Sequence, residues 1–301
     1  MNRRRAAEGT LVLNTIVWGA TFVLVKSALL HVSPLLFLAL RFSLATLALL
    51  AMFRGAAWPT GEGRRSWRAV GAGALAGVFL FSGYLLQTLG LRLTTAPRSA
   101  FLTGLTSIAV PLLAALVYRV RPQISEVAGV VVATAGLGLM TLKGAAGSMS
   151  LGDLLTLLCA FGFAAYIVAL GHFTGHMSFE LLSVAQVGVA ALLSLSLFWW
   201  VESPRVEWRP AVVWAILITG LLATALAFTI QAWAQQYTSS TRTALIYMLE
   251  PVVAWITSYC IAGEGLSGRA AAGAALILGG VVLVEVKPLN PRRHPLSIAE
   301  E

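Results

Sequence analysis

Charge is scarce in this chain. Of 301 residues only 11% are Asp, Glu, Lys or Arg, whereas 58% are hydrophobic and the mean hydropathy is +0.84. A soluble domain carries about 25% charged residues. So little charge leaves too few polar groups to cover a globule in water, and lipid is the natural solvent for the rest. Cysteine is nearly absent as well. Cys159 and Cys260 each sit inside an apolar run, which excludes a disulfide framework and a cysteine-spaced metal site and leaves buried packing as their expected role. The four histidines, His31, His172, His176 and His294, fall in or near loops. His172 and His176 are spaced as a helical ligand pair, but no third ligand accompanies them, so no metal is expected. There is no nucleophile elbow and no phosphate loop, so neither an enzyme nor an organic cofactor is expected. The net charge of +9 comes from basic residues scattered among short loops, with the aromatics inside apolar runs. That pattern forms no nucleic-acid stripe and reads as membrane orientation.

What the chain has in quantity is apolar sequence. It breaks at turn signals such as His31 to Pro34, Thr94 to Pro97, Arg119 to Pro122 and Ser203 to Pro210. About ten segments result, each near the 20 residues needed to cross a bilayer. The expected spans are 11–30, 35–53, 69–91, 98–118, 124–142, 152–171, 180–200, 211–235, 242–261 and 267–286. Segments buried in lipid must satisfy their own backbone, and runs this long lack barrel alternation, so all are expected to be helices. The first span follows Arg3, Arg4 and Arg5 but is long for a signal core, and an uncleaved helix is expected. With the N-terminus inside, the inner segments collect Arg3, Arg4, Arg5, Arg54, Arg64, Arg65, Arg68, Arg119, Arg121, Arg242, Lys287, Arg292 and Arg293. The outer loops hold only Arg92, Arg98, Lys143, Arg205, Arg209 and Arg269. This bias places both termini in the cytoplasm of a plasma membrane, for a bacterial protein the inner one.

The two halves of the chain match each other at a constant offset. Gln87 falls on Gln231, Arg98 on Arg242, Ala100 on Ala244, Gly129 on Gly273, Gly136 on Gly280 and Lys143 on Lys287. With small gaps, Trp67-Arg68 falls on Trp208-Arg209 and Gly19 on Gly162. Each half holds five helices, an odd number, so the second half enters the membrane from the opposite side. The expected fold is all-α and integral to the membrane, ten transmembrane helices in two inverted five-helix repeats. Residues 1–10 form a cytoplasmic tail, 11–143 and 150–287 the repeats, and 288–301 a second cytoplasmic tail. Such repeats supply the two related conformations of alternating access.

The residues also resemble a known family. Trp18-Gly19-Ala20-Thr21-Phe22, then Lys26, Pro34 and Arg41-Phe42, are similar to the opening of EamA-type members of the drug/metabolite transporter superfamily. Leu151-Gly152-Asp153-Leu154-Leu155 is similar to the start of the second half of that family. Thr241 to Pro251, with Glu250-Pro251, Gly263-Glu264, Gly273 and Gly279-Gly280, resembles its close. The first repeat departs from the pattern: Arg119-Val120 stands where Gly263-Glu264 would repeat, and Pro111 comes about a turn later than Pro251 implies. The resemblance implies a ten-helix bundle that exports small metabolites, such as amino acids and related compounds, or drug-like molecules.

Polar residues inside the spans are the candidate site, because they are costly there. Glu250 lies well within the ninth span, and Pro251 frees a carbonyl one turn back. It reads either as a cavity carboxylate for a cationic group or proton, or as a structural hydrogen-bond partner. Lys26 and Arg41 read either as snorkelling side chains or as charge-coupling partners of Glu250. Asn14, Trp18 and Thr21 share a face of the first helix, as do Tyr84 and Gln87 on the third, Thr224, Gln231 and Gln235 on the eighth, and Tyr247 and Glu250 on the ninth. With Thr103 and Tyr166 they are expected to wall a central cavity, Gln87 and Gln231 facing each other across the pseudo-axis. Gly71, Gly73, Gly77, Gly129 and Gly136 are expected to bring helices together. The expected partners are a small-molecule substrate, protons, the lipid bilayer and at most a second copy of the chain, with no nucleic acid. A membrane-embedded enzyme and a non-transporting receptor are the alternatives.

Overall fold

The computed structural model describes residues 3–55, 63–91, 93–94, 96–119, 122–142, 149–175, 177–262 and 267–286. The tail 288–301, Glu264, His176 and the side chains of Lys26 and Arg98 lie outside the described residues. In chain order the helices are α1 (Arg3–Ala28), α2 (Pro34–Met52), α3 (Gly63–Leu91), α4 (Ala96–Gly104), α5 (Thr106–Tyr118), α6 (Ile124–Thr141) and α7 (Leu151–Thr174). There follow α8 (Phe179–Val201), α9 (Pro210–Gly220), a π-helical segment (Leu221–Leu226), α10 (Ala227–Ala234), α11 (Ser240–Tyr247), α12 (Glu250–Ala262) and α13 (Gly268–Val286). Among the described residues the β-structure is a single antiparallel bridge, Val32 with Val206.

Among the described residues, seven stretches are long and apolar enough to cross a membrane: α2, residues 67–91 of α3, residues 101–118 across α4 and α5, α6, α7, α8, and residues 210–234 across α9 and α10. Gly268–Val284 is a shorter apolar helix. The outward faces are apolar too, with Leu47, Leu116, Val131, Leu192 and Trp200 all exposed. Water would not favour such a surface over a whole molecule, and lipid would.

Two boundaries differ from expectation. Residues read as a tail are helical from Arg3 onward. Arg4 Nε donates to Glu8 Oε1 at 2.8 Å one turn ahead, and Glu8 is itself held by Thr238 and Arg242, so this charged turn has partners that its own sequence does not reveal. The ninth apolar segment is divided at Met248–Leu249, between α11 and α12. Pro251 sits at the second position of α12, where its missing N–H costs nothing. The fourth segment breaks at Leu105, the position that the repeat offset pairs with Leu249, although its proline, Pro111, lies inside α5.

Helices from matching places in the two repeats pack antiparallel. Along α2 and α8, Glu202 Oε1 accepts from the Leu36 amide, and Phe53 meets Phe179 edge-on at the other end. Between α6 and α13, a Cβ on Gly129 would fall 2.7 Å from the Gly280 carbonyl, and one on Gly136 would fall 2.5 Å from that of Gly273. The glycines that match in sequence therefore do not touch each other; each meets the partner of the other. Gly73 and Gly77 of α3 lie equally close to Ala185 and the Gln186 carbonyl of α8. Gly71 does not serve this way, since it faces open space.

Candidate functional site

The site begins with an interruption in a helix. Over Leu221–Leu226 the turn widens to a π-helix, and Thr224 Oγ1 donates to the Thr219 carbonyl at 2.8 Å. Single π turns recur at functional sites because they re-aim backbone groups. Here the Ala223 carbonyl accepts two bonds from other helices, from Trp18 Nε1 at 2.8 Å and from Arg41 Nη2 at 3.1 Å.

Arg41 thus turns into the bundle rather than out to the interface, and is only 6% exposed. Its Nε donates to Thr224 Oγ1 at 2.5 Å and its Nη2 to the Tyr84 hydroxyl at 3.4 Å, with the guanidinium carbon 5.2 Å from the Tyr84 ring centre. Guanidinium has five N–H donors in a planar fork, and Nη1 has no partner among the described residues. Glu250 is half-buried and close enough to Arg41, Tyr84 and Tyr247 to act on each electrostatically. Its backbone carbonyl lies against Gly19, where a Cβ would come within 2.9 Å of it, so α1 and α12 touch at this level.

Aromatic rings complete the surroundings. Phe228 is the hub, with Trp18 at 5.6 Å, Tyr166 at 5.8 Å and Tyr84 at 6.4 Å. Trp18 meets Tyr247 at 4.8 Å, and Tyr84 meets Phe163 at 5.3 Å. Most of these contacts are edge-to-face, the arrangement that aromatic quadrupoles favour. Asn14 Nδ2 donates to the Ala227 carbonyl at 2.8 Å and to the Tyr247 hydroxyl at 3.4 Å. Its Oδ1, like Gln231 Oε1, is buried without a partner among the described residues. Buried polar atoms are nearly always paired, so each is hydrogen-bonding capacity open to a ligand.

Of the residues singled out from sequence, Asn14, Trp18, Arg41, Tyr84, Tyr166, Thr224, Tyr247 and Glu250 come together here. The others fall elsewhere. Gln87 Nε2 donates to Thr103 Oγ1 at 3.4 Å, and Thr103 also contacts Cys159 Sγ at 3.5 Å. Gln231 Nε2 donates to Gln235 Oε1 at 3.2 Å, and Gln235 Nε2 donates to the Ile167 carbonyl at 2.9 Å. The two glutamines of the repeat match do not pair. Tyr84 and Phe228 meet, but α3 and α10 run antiparallel, so one turn further on the chains have diverged in opposite directions. Thr21 bonds to carbonyls of its own helix. Phe163, Phe228 and the Ala223 carbonyl were not foreseen. A phenylalanine in an apolar run carries no mark of function, and no residue type signals a π turn.

Both ends of the bundle are tied across the two repeats. At one end the Val32–Val206 bridge pairs the α1–α2 and α8–α9 loops through Ser33 N to Arg205 O and Glu207 N to His31 O, each at 2.8 Å. His31 Nδ1 lies 3.0 Å from Glu207 Oε2, and Arg209 Nη2 lies 3.0 Å from the same oxygen. The His31 hydrogen bond, aided by the Arg209 charge, holds the Glu207 carboxyl below its usual range. At the opposite end, buried Glu8 accepts from Thr238 Oγ1 at 3.1 Å and from Arg242 Nη1 at 3.4 Å, and Arg242 Nη2 reaches the Val284 carbonyl at 3.5 Å.

A helical bundle with an apolar exterior, two packed repeats and a charged, aromatic interior is a multi-spanning membrane protein. Residues 6–142 and 150–286 each match the EamA-like transporter family, and the chain belongs to that family. An uncharacterized transporter of Archaeoglobus fulgidus is 33% identical over 285 residues, 95% of this chain and 87% of its own length. A second from the same organism is 27% identical, across 92% of this chain and 96% of its own. The uncharacterized transporter YvbV of Bacillus subtilis is 23% identical, across 97% and 95%. A protein crystal structure with 20% identity shares the fold at a TM-score of 0.78, covering 93% of this chain and 97% of that one.

Proposed function

We propose that the protein is a membrane transporter that exports small zwitterionic or cationic metabolites, amino acids and related compounds foremost, by alternating access around the Arg41–Glu250 site. The chain crosses the membrane ten times in two inverted repeats, α4 with α5 forming one crossing and α11 with α12 another, with both termini in the cytoplasm. The antiparallel packing of α2 on α8 and of α6 on α13 supports the inversion. The Val32–Val206 clasp then closes the outer mouth and the Glu8–Arg242 network the inner one. An alternating-access cycle releases one of these ties at a time.

One observation carries the substrate class: a guanidinium and a carboxylate lie near each other among the same aromatic side chains inside the bundle. Intramembrane charges mark substrate and ion pathways. Free N–H groups on Arg41 suit a carboxylate, Glu250 suits an ammonium, and Trp18, Tyr84 and Tyr247 offer ring faces to a cation. Glu250 is also the group placed to carry a coupling proton. The test is flux in proteoliposomes over a panel of amino acids and cationic drugs, with and without a pH gradient. Saturable flux of a zwitterion that is lost in both Arg41→Gln and Glu250→Gln supports the reading. No flux for any compound favours the receptor alternative.

A further inference from the structure

A cavity lies away from the Arg41–Glu250 cluster. A crevice of about 260 Å³ opens between α1, α11 and α13, lined by Arg5, Glu8, Gly9, Val12, Ile246 and Val281. Its floor is bare, since a Cβ on Gly9 would meet nothing within 4 Å. Below it on α1, Val12, Leu13 and Ile16 are 36%, 58% and 45% exposed. Cations are not distributed evenly around it. Arg3 stacks over the Tyr237 ring at 5.9 Å, and Arg4 pairs with Glu8 at 2.8 Å. Arg5 lines the crevice and has no partner among the described residues. The one anionic group in the wall, Glu8, is already engaged by Arg4, Thr238 and Arg242, so it does not repel a second anion.

We infer that this crevice binds an anionic phospholipid of the cytoplasmic leaflet, its phosphate at Arg5 and an acyl chain along Gly9, Val12 and Val281. Seven residues separate Arg5 from Val12, about 10 Å along a helix axis. That drop takes a lipid from headgroup to hydrocarbon. Basic pockets between helices at the cytoplasmic face hold anionic headgroups in this manner. A free anion gains nothing from the apolar floor, and in a zwitterionic lipid repulsion between the headgroup ammonium and the arginines offsets the gain at its phosphate. The leaflet rests on the orientation proposed above, but the binding itself does not depend on transport, so either reading can fail alone.

The test is mass spectrometry of the intact detergent-solubilised protein titrated with phosphatidylglycerol, phosphatidylcholine or inorganic phosphate. Phosphatidylglycerol is expected to bind at one site, and the other two to leave no retained adduct. Arg5→Gln should weaken that binding about fivefold, the worth of one basic residue near an anionic surface. Gly9→Leu, which fills open space without a clash, should abolish it, while Arg3→Gln leaves it unchanged. Equal retention of phosphatidylcholine, retention of phosphate alone, equal losses in Arg3→Gln and Arg5→Gln, or full binding by Gly9→Leu would each overturn the assignment.

Discussion

Alanine at Gly136 tests how tightly the two repeats are joined. The new Cβ would lie 2.5 Å from the Gly273 carbonyl, 2.7 Å from Leu276 Cβ and 2.9 Å from the Ile277 amide. Ordinary contact begins near 3.4 Å, so the first of these is about 0.9 Å too short. Two of the three obstacles are backbone, which cannot rotate away as a side chain can. The helices must part, and a gap of 0.5–1 Å forfeits roughly a quarter to a half of each contact's attraction along the seam. Overpacking of this kind costs about 1–3 kcal/mol, and the rigid partner places Gly136→Ala toward the upper end. At about 2–4 °C per kcal/mol for chains of comparable size, the melting temperature in detergent should fall by about 5 °C. Gly273→Ala should match it, because its Cβ meets the Gly136 carbonyl at 2.6 Å. Gly279→Ala, with nothing within 4 Å, should not lower the melting temperature. If Gly136→Ala melts with the wild type, or Gly279→Ala falls as far, the α6–α13 seam is not what binds the repeats.

Three further outcomes follow from named contacts. Thr224→Val keeps the volume but strips Arg41 Nε of an acceptor, leaving a buried charged donor unpaired at about 1–3 kcal/mol; titration with the transported substrate should show weaker binding in a protein that still folds. Arg119 closes α5 at φ 54° and ψ 33°, left-handed backbone where the repeat offset places Gly263, so Arg119→Gly should raise stability by about 1 kcal/mol in thermal unfolding. Glu207 has a depressed carboxyl, so its contribution is complete above the usual value of 4.5 and is lost as pH falls through the lower folded value. The melting temperatures of wild type and Glu207→Gln should therefore differ near neutral pH and converge in strong acid; a gap that persists there would deny the His31–Glu207 pair its role.

The apolar runs were legible because length and composition alone determine them. The seven spanning stretches fall where the turn signals divide the sequence. Pro251 pointed to a freed carbonyl but not to the break between α11 and α12, which falls inside the expected span 242–261. Leu105 announced nothing; its break becomes intelligible only as the pseudo-symmetric counterpart of Leu249. The repeat offset found the right glycines but could not say which meet, because inversion makes Gly129 face Gly280 rather than Gly273. Arg41 shows the limit most clearly. A snorkelling arginine and a buried one look alike in sequence, and what decides is Thr224 and the Ala223 carbonyl, more than 180 positions away on a widened turn. The clasp at Val32–Val206 was hidden for the same reason, since its two short loops are ordinary until the fold places them side by side.

Alternating access can be tested most directly at the clasp itself. Val32 and Val206 form a non-hydrogen-bonded antiparallel pair, whose Cα separation of about 4.5 Å suits a disulfide. With Cys159 and Cys260 replaced by alanine, a cysteine at Tyr247 would report access to the site, read by membrane-impermeant thiol reagents applied from either side. The account predicts labelling from both sides without the clasp disulfide. With Val32→Cys and Val206→Cys oxidised, external labelling and flux should vanish, internal labelling should persist, and reduction should restore both. External labelling that survives the closed disulfide, or access from one side alone in every state, would contradict it.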